Sequence, residues 1–510
     1  MKNAVNDAVE EKGCRQSVTD MINYSSTNPK GKLTLRRKIS SGITLCSRLI
    51  FVLFATAFFT LAICIGNTEQ LRAQDFYAET AGCEQSDNDV PKDLYLRNFN
   101  EQITLTGNET GTAYEQTAEK KSGTKFVTKE VKPEEKTGTL PRYKKDDGIW
   151  RLKNQKNNGE KDDSDETTAV LMFAGDLMCL KGQQYDASGK KGFDFSPSFK
   201  YVTPLFKRAD LVCGNLETLL SESNPLTMDQ VYENNEPQCN GPVEYLKALK
   251  KAGIDMVATA NNHTCDWGAV GITETKKHLD DFGLANIGTH YNETDPKKAG
   301  ERYAIFNVKG IRVAVLSYTH IINQRGKMIE AEMATMVHLF DRDTVKKDIG
   351  DARKDGAEFV VVYLHQGIEN TENLTQSQID DSEFVAEAGA DLIIGSHPHC
   401  LQKCTYIKTS DGRKVLCMYS MGNFVSSMAR EINNDTIILR VEIKKTTEKN
   451  GTKVEMSGAS YIPCNVQARD GHSFVVFPTS KKLNGGVSSA SLKNATKRIA
   501  GIMGGVISPY

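Results

Sequence analysis

The chain has 510 residues, of which 39% are hydrophobic, enough for two or three ordinary domains. Its formal net charge at pH 7 is −1, and the apolar part of the chain contains no strongly basic cluster. We therefore exclude DNA and RNA as partners. The apolar residues are unevenly distributed, which predicts regions of different character along the chain.

An apolar segment lies near the amino terminus. Residues 49–66 are uncharged and mostly apolar, and residues 43–46 extend this run past Arg48. The run is long enough to span a bilayer, and because it lacks a polar face, a buried core helix is disfavoured. A cleaved signal peptide is the main alternative. The long sequence before the run and the lack of a small-residue cleavage site close behind it favour an uncleaved transmembrane anchor at residues 43–66.

Charge on either side of this segment predicts its orientation. The basic residues on its amino-terminal side are Lys30, Lys32, Arg36, Arg37, Lys38 and Arg48. Only Arg72 lies close on the other side. By the positive-inside rule, residues 1–42 form a basic cytoplasmic segment and the rest of the chain lies outside. We expect a single-pass protein of the cell membrane with an extracytoplasmic carboxyl-terminal domain.

The remaining chain divides into three parts. Residues 67–167 are rich in Glu, Lys, Thr, Asn, Asp and Gly and show no sustained apolar period, which predicts a disordered stalk. Residues 168–470 carry the pattern of a folded domain. Residues 471–510 are rich in Gly, Ser and Lys, and we expect them to be a peripheral tail.

The chain contains 12 cysteines. Cys400 and Cys404 could pair across neighbouring backbone, whereas several others have a simple alternative as small buried hydrophobes. Disulfide connectivity cannot be deduced from sequence.

Strand-like runs alternate with helix-like runs throughout residues 168–470. The predicted strands are 169–174, 210–213, 254–260, 303–308, 311–318, 358–364, 391–395, 414–420 and 436–443. The predicted helices are 242–252, 271–282, 343–355 and 377–389. This alternation predicts an α/β layered domain, and the strand-rich part after residue 401 predicts a mixed sheet added to the parallel one.

The most informative run is the strand ending at Gly395, because His397 and His399 follow it and are separated only by Pro398. Residues just past the carboxyl end of a parallel strand lie where α/β sheets bind ligands, and neutral imidazole is a common metal ligand. Proline restricts the residue before it, so we expect extended backbone at His397. A surface turn with two solvated histidines is the alternative.

Four other predicted strands also end in polar side chains. They deliver Asp176, then Asn215 with Glu217, then Asn262 with His263, then His365 with Glu369. Each has a structural alternative as a turn residue, helix cap or hydrogen-bonded core histidine. Together they predict one site at the end of one sheet. Carboxylates, an Asn carbonyl and imidazoles suit Mn, Fe, Zn or Mg, as one ion or as a pair.

Asp266 follows His263 closely and precedes a predicted helix. It could orient the imidazole of His263, or it could cap the turn before the helix. Both alternatives stay open from the sequence.

The motifs as a set resemble the CapA family of capsule-synthesis proteins, which is associated with poly-γ-glutamate production and related to calcineurin-like metallophosphoesterases. The resemblance covers about residues 168–445. The matching runs, in chain order, are Gly175-Asp176-Leu177-Met178, Gly214-Asn215-Leu216-Glu217, Asn261-Asn262-His263 with Asp266 and Gly268, His365-x-Gly367-x-Glu369, Gly395-Ser396-His397-Pro398-His399 and Ser420-Met421-Gly422-Asn423-Phe424.

This resemblance implies a layered metallophosphoesterase-like sandwich of mixed sheets flanked by helices. It also implies that His263 acts as a catalytic acid or charge stabiliser. The implied metal ligands are Asp176, Glu217, Asn262, His365, His397 and His399, with Asn215, Glu369 and Asn423 as further site residues. The sequence departs from the phosphoesterase pattern at Met178, where a histidine ligand is usual, and at Glu217, where a bridging aspartate is usual.

Two classes of function follow from the resemblance. As a hydrolase, the domain would use a divalent ion to activate water against a phosphate ester or the γ-glutamyl amide of a capsule polymer. As a non-catalytic component, it would bind an anionic polymer through the metal and assist export or attachment beside other membrane-bound synthase subunits.

Overall fold

The computed structural model describes residues 142–153, 166–229, 237–292, 301–448 and 451–510. The predicted cytoplasmic segment 1–42, the predicted anchor 43–66 and most of the predicted stalk lie outside these ranges. Within them, no helix combines the length and the apolar character that crossing a membrane requires.

Strands and helices alternate through the described residues. The strands are β1 (Tyr143–Asp146), β2 (Ile149–Leu152), β3 (Glu166–Leu177), β4 (Ser188–Gly189), β5 (Gly192–Phe193), β6 (Leu211–Leu216), β7 (Met256–Ala258), β8 (Ala285–Ile287), β9 (Ala304–Val308), β10 (Ile311–Thr319), β11 (Phe359–His365), β12 (Leu392–Ser396), β13 (Cys404–Lys408), β14 (Lys414–Met418), β15 (Asn423–Val425), β16 (Asp435–Glu448), β17 (Gly451–Arg469), β18 (His472–Pro478) and β19 (Ser508–Pro509). The helices are α1 (Lys181–Ala187), α2 (Ser196–Phe199), α3 (Thr203–Phe206), α4 (Glu244–Ala252), α5 (Gly268–Asp281), α6 (Glu330–Met336), α7 (Arg342–Lys354), α8 (Gln376–Glu387) and α9 (Ala490–Met503). Every predicted strand and helix is present, with shifted ends.

The strands of the described residues form two large mixed sheets. The first sheet has the order β1-β2-β9-β10-β11-β12-β14-β13, and its central strands β10, β11, β12 and β14 are parallel. The second has the order β18-β17-β16-β3-β6-β7-β8, with β3, β6, β7 and β8 parallel, β15 beside β3 and β19 beside β17. The predicted α/β class with mixed sheets and flanking helices is therefore confirmed.

Side-chain alternation along the strands explains how the layers pack. In β10, Val313 and Val315 enter the core between the two sheets, whereas Ala314 and Leu316 face the apolar layer that includes α7 and α8. Successive strand residues point to opposite faces, so a strand buried on both faces reads as a continuous apolar run. The second sheet is likewise covered on its outer face by α2, α3 and α4. The result is a helix, sheet, sheet, helix sandwich.

Both predicted ends of the folded domain need correction. Residues 142–153, which the sequence assigned to the stalk, form β1 and β2, and β2 pairs with β9. The ring of Trp150 stacks on Phe306 with centroids 6.1 Å apart. These short strands were missed because β1 exposes three of its four residues and shows no apolar period. Only pairing with a distant strand makes them part of a sheet.

The predicted peripheral tail, 471–510, is also part of the fold. Its strand β18 pairs with β17, and helix α9 buries Ile499 and Met503 in the core between the sheets. The buried residues of α9 are Leu492, Ala495, Ile499 and Met503, the three- and four-residue spacing of one helix face. That spacing was present in the sequence but was obscured by the flanking glycines.

The cysteines of the described ranges are all buried and form no disulfide, including Cys400 and Cys404. The disulfide that the sequence left open between these two residues is therefore absent. The alternative, small buried hydrophobes, describes them.

Residues 419–423, which we call the connecting segment, join the two sheets. The Met421 backbone N–H donates to the Gly395 carbonyl of the first sheet at 3.0 Å, and the Asp176 N–H of the second sheet donates to the Gly422 carbonyl at 2.9 Å. This approach requires glycine on both sheets. A Cβ atom on Gly395 would lie 1.8 Å from the Tyr419 carbonyl oxygen, and one on Gly175 would lie 2.0 Å from that of Gly422.

We predict that Gly395→Ala lowers the free energy of unfolding by more than about 3 kcal/mol, because a methyl group there overlaps a backbone oxygen that cannot rotate away. Gly350→Ala is the matched control. Gly350 lies inside α7 with open space around it, so the same change should stabilise the protein by roughly 0.5–1 kcal/mol. Urea unfolding of both variants measures the contrast, and equal stability of the two would contradict the proposed contact.

Candidate metal centre

Polar side chains from both sheets converge at the carboxyl ends of their parallel strands. Asp176 lies near the end of β3, and Asn215 and Glu217 lie at the end of β6. His365 ends β11 of the other sheet, and His397 follows β12. The sequence predicted a site at the end of one sheet. The structure corrects this to two sheets, whose parallel strands end on the same side of the sandwich and so bring distant residues together.

Among the described residues, three groups of buried side chains could hold a metal ion, each with ligand atoms within 4.8 Å of one another. The groups are Glu217 with His365 and His397, Asp176 with Glu217 and His399, and Cys239 with His263 and Asp266. Because Glu217 belongs to the first two, they form one continuous centre. We refer to them as the His365 group, the His399 group and the Cys239 group.

Asn215 orients both carboxylates of this centre. Its Nδ2 donates to Asp176 Oδ1 at 2.8 Å and to Glu217 Oε2 at 2.9 Å. Asn261 braces this arrangement by donating from Nδ2 to the Leu216 carbonyl at 2.8 Å. One oxygen of each carboxylate is thereby occupied, and the other oxygen is turned toward the histidines.

Those other oxygens have no hydrogen-bond partner among the described residues: Asp176 Oδ2 and Glu217 Oε1 are buried and unpaired, as is His397 Nδ1. Glu217 Oε1 lies 3.8 Å from His365 Nε2 and 3.6 Å from His399 Nε2. A buried polar atom left unpaired costs about 1–3 kcal/mol, and more if it is charged. A cation among these atoms would remove that cost, so the residues present fit a divalent ion.

Hydrogen bonds behind the histidines fix their rings. His399 Nδ1 lies 3.0 Å from Asn423 Oδ1, and because Asn423 Nδ2 donates to Ser426 Oγ, that oxygen is the amide acceptor. His399 Nδ1 therefore carries a proton, and its Nε2 faces Glu217. Such a partner on the second ring nitrogen is typical of histidines that bind metal.

His365 is held in a similar way. Its Nδ1 lies 2.9 Å from Ser396 Oγ, and its Nε2 lies 3.0 Å from Asn262 Oδ1. With the proton on Nδ1, the Nε2 lone pair and the Asn262 oxygen face the same point, as two ligands of one ion do. Asn262 therefore belongs with the His365 group.

Burial and mutual charge shift the pKa values of these groups. Burial, reinforced by Asp176, raises the pKa of Glu217 to about 8. Burial alone would lower the pKa of His399, but Glu217 and Asp176 raise it to about 9. Burial and then the charge of His399 lower the pKa of His397 to about 3. The His397 ring is thus neutral near pH 7, the state that binds metal.

The turn that carries His397 and His399 has unusual backbone. Both residues have positive φ, 95° and 56° respectively. This corrects the expectation of extended backbone at His397. The turn is held from outside, because the Asn370 N–H donates to the Pro398 carbonyl at 2.8 Å and Asn433 Nδ2 donates to the His399 carbonyl at 3.0 Å. Such conformations cost free energy and persist only where surrounding contacts enforce them.

The Cys239 group surrounds His263. Its Nδ1 lies 2.7 Å from Asp266 Oδ2, which also accepts the Cys239 backbone N–H at 2.7 Å. Burial opposes protonation of His263, but Cys239 and Asp266 raise its pKa well above the usual value. Helix α5 begins at Gly268 without a side-chain cap. Of the two roles left open for Asp266, the structure therefore shows the contact with His263.

Two residues singled out by sequence lie outside the ligand groups. Met178 is buried in an apolar cluster with Leu180 and Cys239. Glu369 is exposed and acts on the centre only at a distance, as the weakest of the charges that raise the pKa values of Glu217 and His399.

Among the supporting residues that were not identified as site residues from the sequence are Cys239, Asn261 and Ser396. Asn261 and Ser396 each adjoin a predicted ligand, so neighbourhood in the sequence could have indicated them. Cys239 lies 24 positions before His263 in a loop without any local pattern. Only the folded chain brings these two together.

The part of the chain that carries this centre is similar to known proteins. Residues 170–428 match the family described as bacterial capsule synthesis protein PGA_cap. The PGA biosynthesis protein CapA of Bacillus subtilis strain 168 is 30% identical over 283 residues, which is 55% of this chain and 68% of that protein. The capsule biosynthesis protein CapA of Bacillus anthracis is 29% identical over 305 residues, 58% of this chain and 67% of that protein.

Among solved structures, a 5′-nucleotidase precursor from Thermus thermophilus aligns with a TM-score of 0.37 and 14% identity, over 66% of this chain and 59% of that one. A calcineurin-like phosphoesterase from Bacillus subtilis aligns with a TM-score of 0.33 and 12% identity, over 65% of this chain and 96% of that one. The sequence match to PGA_cap extends over half of the chain and includes every predicted metal ligand. This protein belongs to the PGA_cap family of bacterial capsule synthesis proteins.

Proposed function

We propose that this protein is a membrane-anchored, extracytoplasmic member of a capsule assembly system, with a divalent-metal hydrolase centre that acts on the capsule polymer. The observation that carries the proposal is the arrangement around Asn215. It holds one oxygen of Asp176 and one of Glu217, while their other oxygens are buried, unpaired and directed at imidazoles. This is a prepared cation site.

The ligands divide between two positions. Glu217, His365 and His397, with Asn262 Oδ1, would hold one ion, and Asp176, Glu217 and His399 would hold a second ion. When bound, a divalent cation supplies Lewis-acid polarisation of the substrate bond and activation of water. Mn, Fe, Zn and Mg all accept such mixed oxygen and nitrogen ligands.

His263 provides the proton chemistry. Asp266 holds Nδ1 and so keeps the ring in one orientation, which leaves Nε2 as the nitrogen that can donate a proton to a leaving group or stabilise developing negative charge. The bond attacked is the γ-glutamyl amide of the polymer or a phosphate ester. The relative described as a 5′-nucleotidase of Vibrio cholerae, 23% identical over 244 residues, supports the ester as the alternative.

A second function is favoured by Met178. Its side chain lies in an apolar cluster with Cys239, and it supplies neither an imidazole nor a carboxylate to the His399 group. A centre with fewer ligands at one position suits metal-mediated binding of polymer carboxylates without turnover, in export or attachment alongside membrane-bound synthase subunits.

The location of the protein is proposed from its sequence. The apolar segment 43–66 and the basic residues before it support a single-pass anchor with the sandwich domain outside the cell.

We predict that His397→Ala lowers the divalent-metal content of the purified protein and weakens apparent metal affinity by at least about 10-fold, because it removes a ligand. His472→Ala is the matched control, since His472 lies on β18 and contacts Asp186. Elemental analysis of both variants after dialysis against a series of metal concentrations measures the metal content and the apparent affinity. Wild-type protein free of divalent metal after growth in supplemented medium would reject the centre.

We predict that Asp266→Asn leaves the metal content of the centre around Glu217 unchanged but lowers kcat about 10²–10⁴-fold on poly-γ-glutamate or on a generic phosphodiester, because His263 loses its orienting carboxylate. Turnover by the wild-type protein distinguishes the hydrolase proposal from the binding proposal. Wild-type protein that binds metal and polymer but turns over neither substrate supports the binding function.

We predict that protease added to intact cells cleaves the chain within residues 67–141 and releases the sandwich domain. Complete protection in intact cells, with cleavage after membrane permeabilisation, would reject the extracytoplasmic location.

A further inference from the structure

Two adjoining cavities lie at the end of the second sheet opposite to the metal centre. A cavity of about 110 Å³ is lined by Arg142, Lys250 and the residues just before β7, and one of about 470 Å³ is lined by Lys200 and α2. Lys207 and Lys251 line both. We call the combined feature the basic cleft. β6 begins beside it and ends at the metal centre, and its six residues span roughly 20 Å.

The lysines of the cleft have few counter-charges. Lys250 is only 7% exposed, and its ammonium donates to the Phe282 carbonyl, which is neutral. Lys207 and Lys251 are exposed and form no ion pair within the described ranges. Burial, and then the charge of Lys153, lower the pKa of Lys250 to about 8, so its positive charge is poorly compensated where it lies.

The carboxylates near the cleft are already engaged. Asp255 accepts hydrogen bonds from two nitrogens of the Arg142 guanidinium and from the Val212 backbone N–H. Asp470 accepts hydrogen bonds from the Lys200 ammonium and from the Tyr201 hydroxyl. Asp194, which senses the charge of Lys251, accepts the backbone N–H and hydroxyl of Ser196. The cleft therefore carries excess positive charge, and its buried ammonium is stabilised by any anion that enters.

The shape and lining of the cleft favour a chain over a bilayer. The large exposed apolar residues of the described chain are Tyr185, Val270, Tyr291, Ile329, Ile368, Tyr406 and Tyr510, and none of them lines either cavity. Membrane-surface sites combine basic charge with exposed apolar side chains that insert into the bilayer. Two recessed cavities that share two lysines can instead accept successive anionic groups of one flexible polymer chain.

We propose that the basic cleft is a second binding site that holds carboxylate groups of a polyanionic polymer, separate from the metal centre. The identity of the polymer as poly-γ-glutamate rests on the proposed function, whereas the anion site itself rests on the lysines and the cavities. A polymer held at both ends of β6 would be retained by the cleft while one of its bonds occupies the metal centre.

The test compares two double variants of the full-length chain. Lys207→Ala with Lys251→Ala removes two charges from the cleft. Lys493→Ala with Lys497→Ala removes two exposed charges from α9 and serves as the matched control. Binding of poly-γ-glutamate, inorganic phosphate and vesicles containing anionic lipid is measured by titration, with thermal unfolding to verify the fold of each variant.

We expect the cleft variant to bind poly-γ-glutamate at least about 5-fold more weakly than the control variant, with the difference shrinking as salt rises. The cleft variant should keep the metal content of the wild-type protein, which separates this inference from the metal centre. Equal weakening in both double variants overturns the proposal, as does cleft-dependent binding of vesicles or of phosphate alone. Polymer binding lost in His397→Ala but kept in the cleft variant would leave the proposed function standing and reject the cleft.

Discussion

The connecting segment is the constraint on which the rest of the site depends. Its hydrogen bonds to Gly395 and Asp176 join one strand of each sheet at the point where both strands end. Without side chains at Gly175 and Gly395, backbone can approach backbone closely enough for the ligands of two sheets to share one centre. The same segment delivers Asn423, which holds His399. A centre with ligands on two separate layers needs such a clamp, because packing between sheets alone leaves them about 10 Å apart.

Within that clamp, the chemistry of the centre follows from incomplete hydrogen bonding. Asn215 donates to one oxygen of each carboxylate, and the other oxygen of each is buried and has no hydrogen-bond partner among the described residues. Positive φ at both histidines of the turn adds local strain that outside hydrogen bonds sustain. Unpaired oxygens and strained backbone are unfavourable for folding alone, and their concentration at one place is typical of a site whose ligand completes it.

The molecule places different chemistry at the two ends of its second sheet. The metal centre is buried and combines carboxylates with imidazoles, whereas the basic cleft is open and cationic. A capsule polymer is long, flexible and repetitively charged, so one weak contact per charge is multiplied along the chain. If the basic cleft retains the polymer, the metal centre can remain small and buried, because polymer affinity is provided elsewhere.

The sequence alone predicted the candidate metal ligands and most of the central strands. These candidate ligands follow apolar runs that predict strands, and hydrophobic periodicity in a short window is enough to detect such runs. The residues found in this way are Asp176, Glu217, His365 and His397. It also determined the family resemblance, because the motifs are short and ordered. The extent of the domain was decided by tertiary structure, since β1 and β2 have no apolar period and exist only through pairing with β9.

Tertiary structure also decided how the ligands are used. Three features of the centre depend on residues that are far apart in the chain. They are the contact between the two sheets, the positive φ of His397 and the proximity of Cys239 to His263. Local patterns report which face of a strand is buried, but they carry no information about which distant strand end lies opposite. The candidate ligands could therefore be predicted from the sequence, whereas their arrangement in one cluster depends on how the two sheets pack.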